Sequence, residues 1–218
     1  MEQITPDNSG LELVKLTEVI PTTIDCHGNE IVNWVELLPR PATKEVVTEY
    51  LMLELQPLIE SENPVDQKKA DRIIAASDFL LKRAEQGQLE TIGDISTLVD
   101  LIGDSVDSSN ETGVSLKRIS QFLDKGYSAN KISFLYEARD IVGASMESII
   151  KLVDEYGISL DDQESLEMLS DAIQAVITNN DLKFYDTSTA VSLIIEYSKL
   201  GKSLSDIVYS DSIDEEEF

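Results

Sequence analysis

The chain has one cysteine and one histidine in 218 residues, and this scarcity excludes several kinds of site. A single thiol, Cys26, cannot form an intramolecular disulfide, so we expect a protein of a reducing compartment. The single histidine, His27, leaves no pair of histidines at metal-binding spacing, and no CxxC pattern is present. The run Asp25-Cys26-His27 contains metal-binding residue types, but neighbours in sequence rarely orient toward one ion. We interpret this run as a turn with an incidental thiol.

Long apolar runs and aromatic residues are also lacking. No segment reaches the 18 or so consecutive apolar residues of a membrane span. The start, Met1-Glu-Gln-Ile4, lacks the basic and apolar progression of a secretory signal. We therefore expect a soluble, cytoplasmic protein without contact to membranes. Because aromatic residues make up only 6% of the chain, Leu, Ile and Val must fill the core.

Basic residues are outnumbered: 17 Lys and Arg stand against 42 Asp and Glu, for a net charge of −25. Such a field repels nucleic acid and favours a partner with a basic surface. The acid clusters lack EF-hand spacing and are interpreted as solvated faces. The motifs GxGxxG, GxxxxGK[ST], GxSxG and HExxH are absent as well. We therefore predict a non-enzymatic protein with no catalytic residues, no cofactor and no bound metal.

A repeated pairing of glycine with serine is the most informative pattern that the chain does contain. Six of the ten glycines are followed two residues later by serine, namely Gly103, Gly113, Gly126, Gly143, Gly157 and Gly201. Glycine readily takes the left-handed conformation that ends a helix. A serine two residues later can accept a hydrogen bond from the N–H groups that open the next helix. The motif therefore predicts tight corners between short helices.

The predicted fold is mainly α: an irregular multi-helix bundle or a short α-solenoid-like array of helical hairpins, with a small N-terminal β-hairpin arm. A match between 150–162 and 194–206 favours the array, whereas the unequal spacing of the other corners favours the bundle. Apolar spacing predicts helices over about 43–60, 64–86, 91–102, 115–125, 128–142, 145–156, 160–177, 187–200 and 203–209.

Changes in composition predict five segments along the chain. They are an N-terminal arm over 1–42, a three-helix subdomain over 43–103, a linker over 104–113, a helical subdomain with the glycine corners over 114–209, and an acidic disordered tail over 210–218.

The end of the chain is the first candidate for partner binding, and its residues are Asp214, Glu215, Glu216, Glu217 and Phe218. This stretch resembles the acidic tails of bacterial and phage single-stranded-DNA-binding proteins, which end in an aromatic residue beside the free carboxylate. The resemblance implies a peptide that docks into a basic, apolar pocket on a partner. The alternative is an acidic end that only increases solubility.

A locally basic helix, predicted over 64–86, is the second candidate, and its basic residues are Lys68, Lys69, Arg72, Lys82 and Arg83. In a protein this acidic, the expected partner of these side chains is the chain's own acidic surface. The alternative is a dedicated binding face.

A third candidate is the segment 121–132, which resembles the turn of helix-turn-helix DNA-binding proteins. The basic residues around it are Lys117, Arg118, Lys125 and Lys131. Where such a protein needs base-reading groups, however, the chain has Phe134, Leu135, Tyr136 and Glu137.

These observations together predict an acidic helical protein-protein interaction protein: an adaptor, an assembly factor or a structural component. Its partner is expected to be another protein with a basic surface, or a second copy of the chain. The alternative is a nucleic-acid-related protein, either an acidic DNA mimic or a regulator with a helix-turn-helix-like element at 116–142.

Overall fold

In the computed structural model, the residues described are 20–104, 114–160, 162–183 and 186–209. Within these ranges the chain forms ten helices and one two-stranded antiparallel sheet, so the predicted mainly α fold is confirmed. The elements are β1 (Thr22–Ile24), β2 (Glu30–Val32), α1 (Trp34–Leu37), α2 (Lys44–Glu60), α3 (Pro64–Glu85), α4 (Ile92–Gly103), α5 (Leu116–Asp124), α6 (Ala129–Val142), α7 (Met146–Tyr156), α8 (Gln163–Asn179), α9 (Thr187–Lys199) and α10 (Leu204–Val208).

The chain divides into two compact units between Ser96 and Thr97, inside α4. The linker predicted over 104–113 follows this division, and its residues 105–113 lie outside the described ranges, as does the predicted tail over 210–218. The five-segment organisation therefore stays a prediction. No helix within the described ranges combines the length and the apolar content that crossing a bilayer requires.

The first unit begins with the predicted hairpin. Thr22 lies opposite Val32 and Ile24 opposite Glu30, and α1 follows the second strand almost at once. Further along, Thr43 caps α2, and Asn63 caps α3 by accepting the N–H of Val65 at 3.0 Å. α2 continues through Pro57 to Glu60, and a three-residue connection joins it to α3, on which it packs. The core of this unit includes Leu37, Val47, Tyr50, Ile73, Ala76, Leu80, Leu89, Ile92 and Ile95.

Glycine corners organise the second unit as predicted. The backbone has positive φ at Gly126, Gly143, Gly157 and Gly201, with values of +84°, +64°, +65° and +81°. After α5 the N–H of Tyr127 bonds the carbonyl of Phe122 at 3.0 Å, and the N–H of Gly126 bonds that of Leu123 at 2.9 Å. This pair of bonds is a Schellman motif, which satisfies carbonyls that the end of a helix leaves without partners.

The serines of the motif cap the next helix at three corners. Ser128, Ser145 and Ser203 each accept a backbone N–H three residues on, whereas Ser115 stands at the N-cap of α5 without a side-chain bond. The prediction is wrong at Ser159, because α8 begins only at Gln163 and its cap is Asp162.

The corner predicted at Gly103 is also wrong, since this glycine is the last residue of α4 rather than the residue after it. The serine that was to follow it, Ser105, lies outside the described ranges, and so does Gly113.

The difference between Ser145 and Ser159 is directly testable. Because Ser145 caps α7, we expect Ser145→Ala to lower the free energy of unfolding by about 0.5–2 kcal/mol. Ser159→Ala leaves the Asp162 cap of α8 in place, so we expect a smaller loss than at Ser145. Urea unfolding followed by circular dichroism measures both; equal losses would contradict the assigned caps.

Helices of the second unit contact mainly their next and next-but-one neighbours. α6 packs on α5, α7 and α8; α8 packs on α9 and α10; and α7 packs on α9. Two ion pairs also join α5 to α7, Arg118 with Glu147 at 2.7 Å and Lys125 with Asp154 at 3.5 Å. The contacts within the second unit thus join helices that are one or two positions apart in the chain.

Candidate protein-interaction surface

α3 places charges of opposite sign on two different sides of one helix. Its spacing of 3.6 residues per turn puts three bases and two apolar residues along one side, which we call the basic flank: Val65, Lys68, Arg72, Phe79 and Arg83. Asp71, Asp78 and Glu85 recur every seven residues along another exposed side of the helix. Of the predicted basic residues, the structure thus brings together Lys68, Arg72 and Arg83, while Lys69 and Lys82 lie to either side of them.

Contacts within the first unit fix the C-terminal end of the basic flank. The guanidinium of Arg83 lies over the ring of Phe79, 5.4 Å from its centre, and Nη1 donates to Oε1 of Gln88 at 2.6 Å. A Schellman motif at Gly87 brings Gln88 back toward Arg83, whose carbonyl accepts its N–H at 3.0 Å. On the acidic side, Glu85 pairs with Lys44 of α2 at 3.8 Å. The basic flank therefore has a defined end with an aromatic residue under its last cation.

Exposed apolar side chains concentrate in the same unit. Among the described residues, twelve large apolar side chains are exposed, and nine belong to the first unit: Ile24, Ile31, Trp34, Val35, Leu38, Met52, Ile59, Val65 and Ile74. Val35 is 85% exposed and Val65 is 69% exposed. Single exposed apolar residues are ordinary, whereas contiguous exposed apolar patches mark binding surfaces.

Two helices of the first unit, α1 and α2, contribute four of these side chains. α2 has no buried residue after Leu51, and Met52 and Ile59, seven positions apart on one side of the helix, are exposed. In α1, Trp34 meets the buried Tyr50 edge-on with ring centres 6.4 Å apart, yet it remains 42% exposed. The second half of α2 and the outer side of α1 therefore present apolar groups to solvent.

In the segment that resembles a helix-turn-helix, most of the bases contact groups of the second unit. Arg118 and Lys125 pair with the carboxylates of α7, and Nζ of Lys131 lies 4.7 Å from the centre of the Tyr127 ring. Leu135 and Tyr136 are buried, so they face the interior of the unit. Three of the four bases thus contact other groups of the second unit.

Tyr127 lies at the centre of the corner between α5 and α6, and no pattern in the sequence indicates its contacts. Its ring stacks on Phe122 with centres 5.5 Å apart, and its hydroxyl donates a hydrogen bond to the carboxylate of Asp154. Burial, together with this hydrogen bond and the charge of Asp154, raises the pKa of Tyr127 to about 12. The corner is thereby joined to α7.

We expect the Tyr127 hydroxyl to titrate close to pH 12, later than an ordinary tyrosine near pH 10. Because folding raises this pKa, its contribution to stability is present below about pH 10 and is lost as the pH rises through about 12. Absorbance at 295 nm, compared between the native chain and Tyr127→Phe, isolates this group. Asp154→Asn should move its midpoint toward 10; an unchanged midpoint would contradict the contact.

The Asp25-Cys26-His27 run is a turn in the structure. Oδ1 of Asp25 accepts the backbone N–H groups of His27 and Asn29, both at 2.8 Å. These bonds, above all those from Asn29, lower the pKa of Asp25. Across the described ranges, no group of three His, Cys, Asp or Glu side chains is placed to hold a metal ion.

A small cleft in the second unit has a volume of about 60 Å³ and is lined by Val176, Asn179, Asn180, Tyr197, Lys202 and Ile207. This volume is well below the roughly 300–1,000 Å³ of ordinary small-molecule sites.

The predicted binding residues 214–218 lie outside the described ranges. Comparison with known proteins gives no match, whether to a family model, a curated protein or a solved structure.

Proposed function

We propose that the chain is a non-enzymatic protein-protein interaction protein, an adaptor, assembly factor or structural component, that binds its partner through the first unit. The observation that carries this proposal is the concentration of nine of the twelve exposed large apolar side chains in that unit. Removing such groups from water is the main favourable term in protein association. Arg and aromatic residues, which are enriched at interfaces, accompany them here as Arg72, Arg83, Trp34 and Phe79.

Charge on α3 supports a specific chemistry for the partner. The basic flank combines three cations with the exposed Val65 and the half-buried Phe79. An acidic segment with an apolar anchor fits this combination, because opposite charges guide association and a buried apolar group supplies affinity. The partner with a basic surface, which the net charge of −25 favours, stays a prediction for the remaining surface.

The nucleic-acid alternative has less support from the contacts described above. Arg118 and Lys125 of the element at 116–142 bind carboxylates of the chain itself, so phosphates would have to compete with them. A gel-shift assay with random duplex DNA tests it. Retardation that Lys117→Ala and Lys131→Ala abolish would favour the alternative.

Site-specific photocrosslinking tests the proposed function. A benzoylphenylalanine replaces Val65 or Val35 in the first unit and, as a matched control, the exposed Thr189 of α9 in the second. We expect the two first-unit probes to crosslink the same protein, and the Thr189 probe not to.

The captured protein is then purified and titrated against variants of the full chain. We expect Val65→Asp and Arg72→Glu each to weaken binding at least tenfold, since one places a charge on an apolar contact and the other reverses a charge. Thr189→Asp should bind as the native chain does. Equal affinity of all three variants would refute the proposed surface.

A further inference from the structure

The last eight residues, 211–218, have the composition that the basic flank of α3 requires. Asp211-Ser-Ile-Asp-Glu-Glu-Glu-Phe218 contains five acids and no base, and Ile213 and Phe218 are its apolar residues. The helix that carries the basic flank has five bases, Lys68, Lys69, Arg72, Lys82 and Arg83, against four acids, Asp66, Asp71, Asp78 and Glu85. None of the four acids lies on the basic flank itself. These two stretches are complementary in charge, and each includes an aromatic residue.

We infer that the basic flank of α3 binds residues 211–218 of a second copy of the chain. This inference rests on the proposed function and names the partner of the same surface. The carboxylates of Asp214 to Glu217 pair with Lys68 and Arg72, and the ring of Phe218 contacts the apolar part of the flank. A chain of strongly negative charge thereby uses a basic stripe on α3 to bind the acidic segment of a second copy.

The basic flank and an extended segment 211–218 have matching lengths. From Val65 to Arg83 the flank extends about 27 Å, at a helical rise of about 1.5 Å per residue. Eight residues can span at most about 28 Å. One segment is therefore long enough to follow the flank from its exposed valine to the Arg83 that covers Phe79, and it needs no further chain to do so.

Two copies can satisfy each other reciprocally. Each copy offers one basic flank and one acidic end, so a two-fold pair forms two identical contacts, the symmetry most common among soluble oligomers. The net charge of −25 on each copy opposes their approach at a distance. At physiological salt, repulsion between exposed charges is screened beyond about 8 Å. Whether two copies associate therefore depends on the pairing of opposite charges where they touch.

Sedimentation equilibrium of the full chain at physiological salt measures the pairing. We expect a monomer–dimer equilibrium that Lys68→Glu weakens at least fivefold. The matched control is Lys117→Glu, which makes the same charge change at an exposed lysine of α5 in the second unit. Phe218→Ala should weaken the dimer at least fivefold as well. A native chain that stays monomeric, or equal dimer constants for Lys68→Glu and Lys117→Glu, would overturn the inference.

Mixing two variants that cannot dimerise on their own tests whether the contact joins different copies. One variant carries Lys68→Glu with Arg72→Glu, and the other carries Asn or Gln in place of Asp214, Glu215, Glu216 and Glu217. The first retains an acidic end and the second retains a basic flank, so each alone should be monomeric and the mixture should form a heterodimer. A mixture that stays monomeric would overturn the inference. If the mixture stays monomeric while Arg72→Glu still weakens binding of a crosslinked partner, the proposed function holds and only the self-association is refuted.

Discussion

Replacing Ile132 by alanine should lower the free energy of unfolding of the second unit by about 2–5 kcal/mol. Ile132 is completely buried, and its helix, α6, packs on α5, α7 and α8. The smaller side chain loses apolar contacts and leaves a cavity, which neighbours held by several helices fill only in part. No other single substitution considered above is expected to cost as much.

Ile141→Ala on the same helix is the matched control. Its side chain is 51% exposed, so the same substitution should change the free energy of unfolding by no more than about 0.5 kcal/mol. Urea unfolding followed at 222 nm reports on the helices of both units, and the fluorescence of Trp34, the only tryptophan, reports on the first unit. Equal losses for Ile132→Ala and Ile141→Ala would show that α6 is not packed as described.

Gly143→Ala should destabilise the chain more than Gly157→Ala, although the two glycines have nearly the same backbone conformation. Their φ angles are +64° and +65°, so the strain of placing alanine in the left-handed region, about 1–2 kcal/mol, is common to both. At Gly157 an added Cβ meets no atom within 4 Å, whereas at Gly143 it comes within 3.3 Å of Oγ1 of Thr187. The Thr187 side chain must therefore shift by a few tenths of an ångström to make room, and this shift adds to the cost at Gly143.

A double-mutant cycle separates crowding from backbone strain. Thr187→Ala removes the oxygen that the new Cβ would meet, so Gly143→Ala should be less destabilising in that background, by about the excess over Gly157→Ala. Unfolding free energies of the four chains measure the coupling. A coupling near zero would mean that α9 moves away from this corner without cost, against the geometry described above.

Local side-chain chemistry explains why most helix boundaries could be predicted from the sequence. The start of α3 follows from Asn63 and Pro64, and the ends of α6 and α7 follow from Gly143 and Gly157, because each residue acts on its nearest backbone groups. α8 departs from its prediction because two residues, Ser159 and Asp162, can both cap a helix. Leu160 between them is completely buried, and packing of this kind is not visible in a sequence.

The corner after α8 could not be predicted because an aspartate takes the place of glycine. Asp181 has a φ of +52°, and the N–H of Leu182 bonds the carbonyl of Ile177 at 3.0 Å, as in a Schellman motif. Aspartate is one of the few other residues that enter the left-handed region at modest cost. A search for glycine corners alone therefore passes over this one.

For the candidate surface, the sequence predicts the charges but not the exposure. Helical spacing alone places Lys68, Arg72 and Arg83 on one side of α3. That Val65 and Val35 face solvent depends on which elements pack beside them, which apolar spacing does not reveal. Likewise, the pairing of Arg118 with Glu147 joins residues 29 positions apart, and only the folded chain brings them together.

The contacts between neighbouring helices of the second unit bear on how this unit folds during synthesis. Because its helices pack mainly on the next one or two along the chain, few of these contacts require distant segments to meet first. Folding is generally fast when contacting residues are close in sequence. In a chain synthesised from its N-terminus, α5 and α6 can pack before α10 has been translated, and each later helix adds to a surface that already exists. The second unit can therefore assemble progressively during synthesis rather than only after its release.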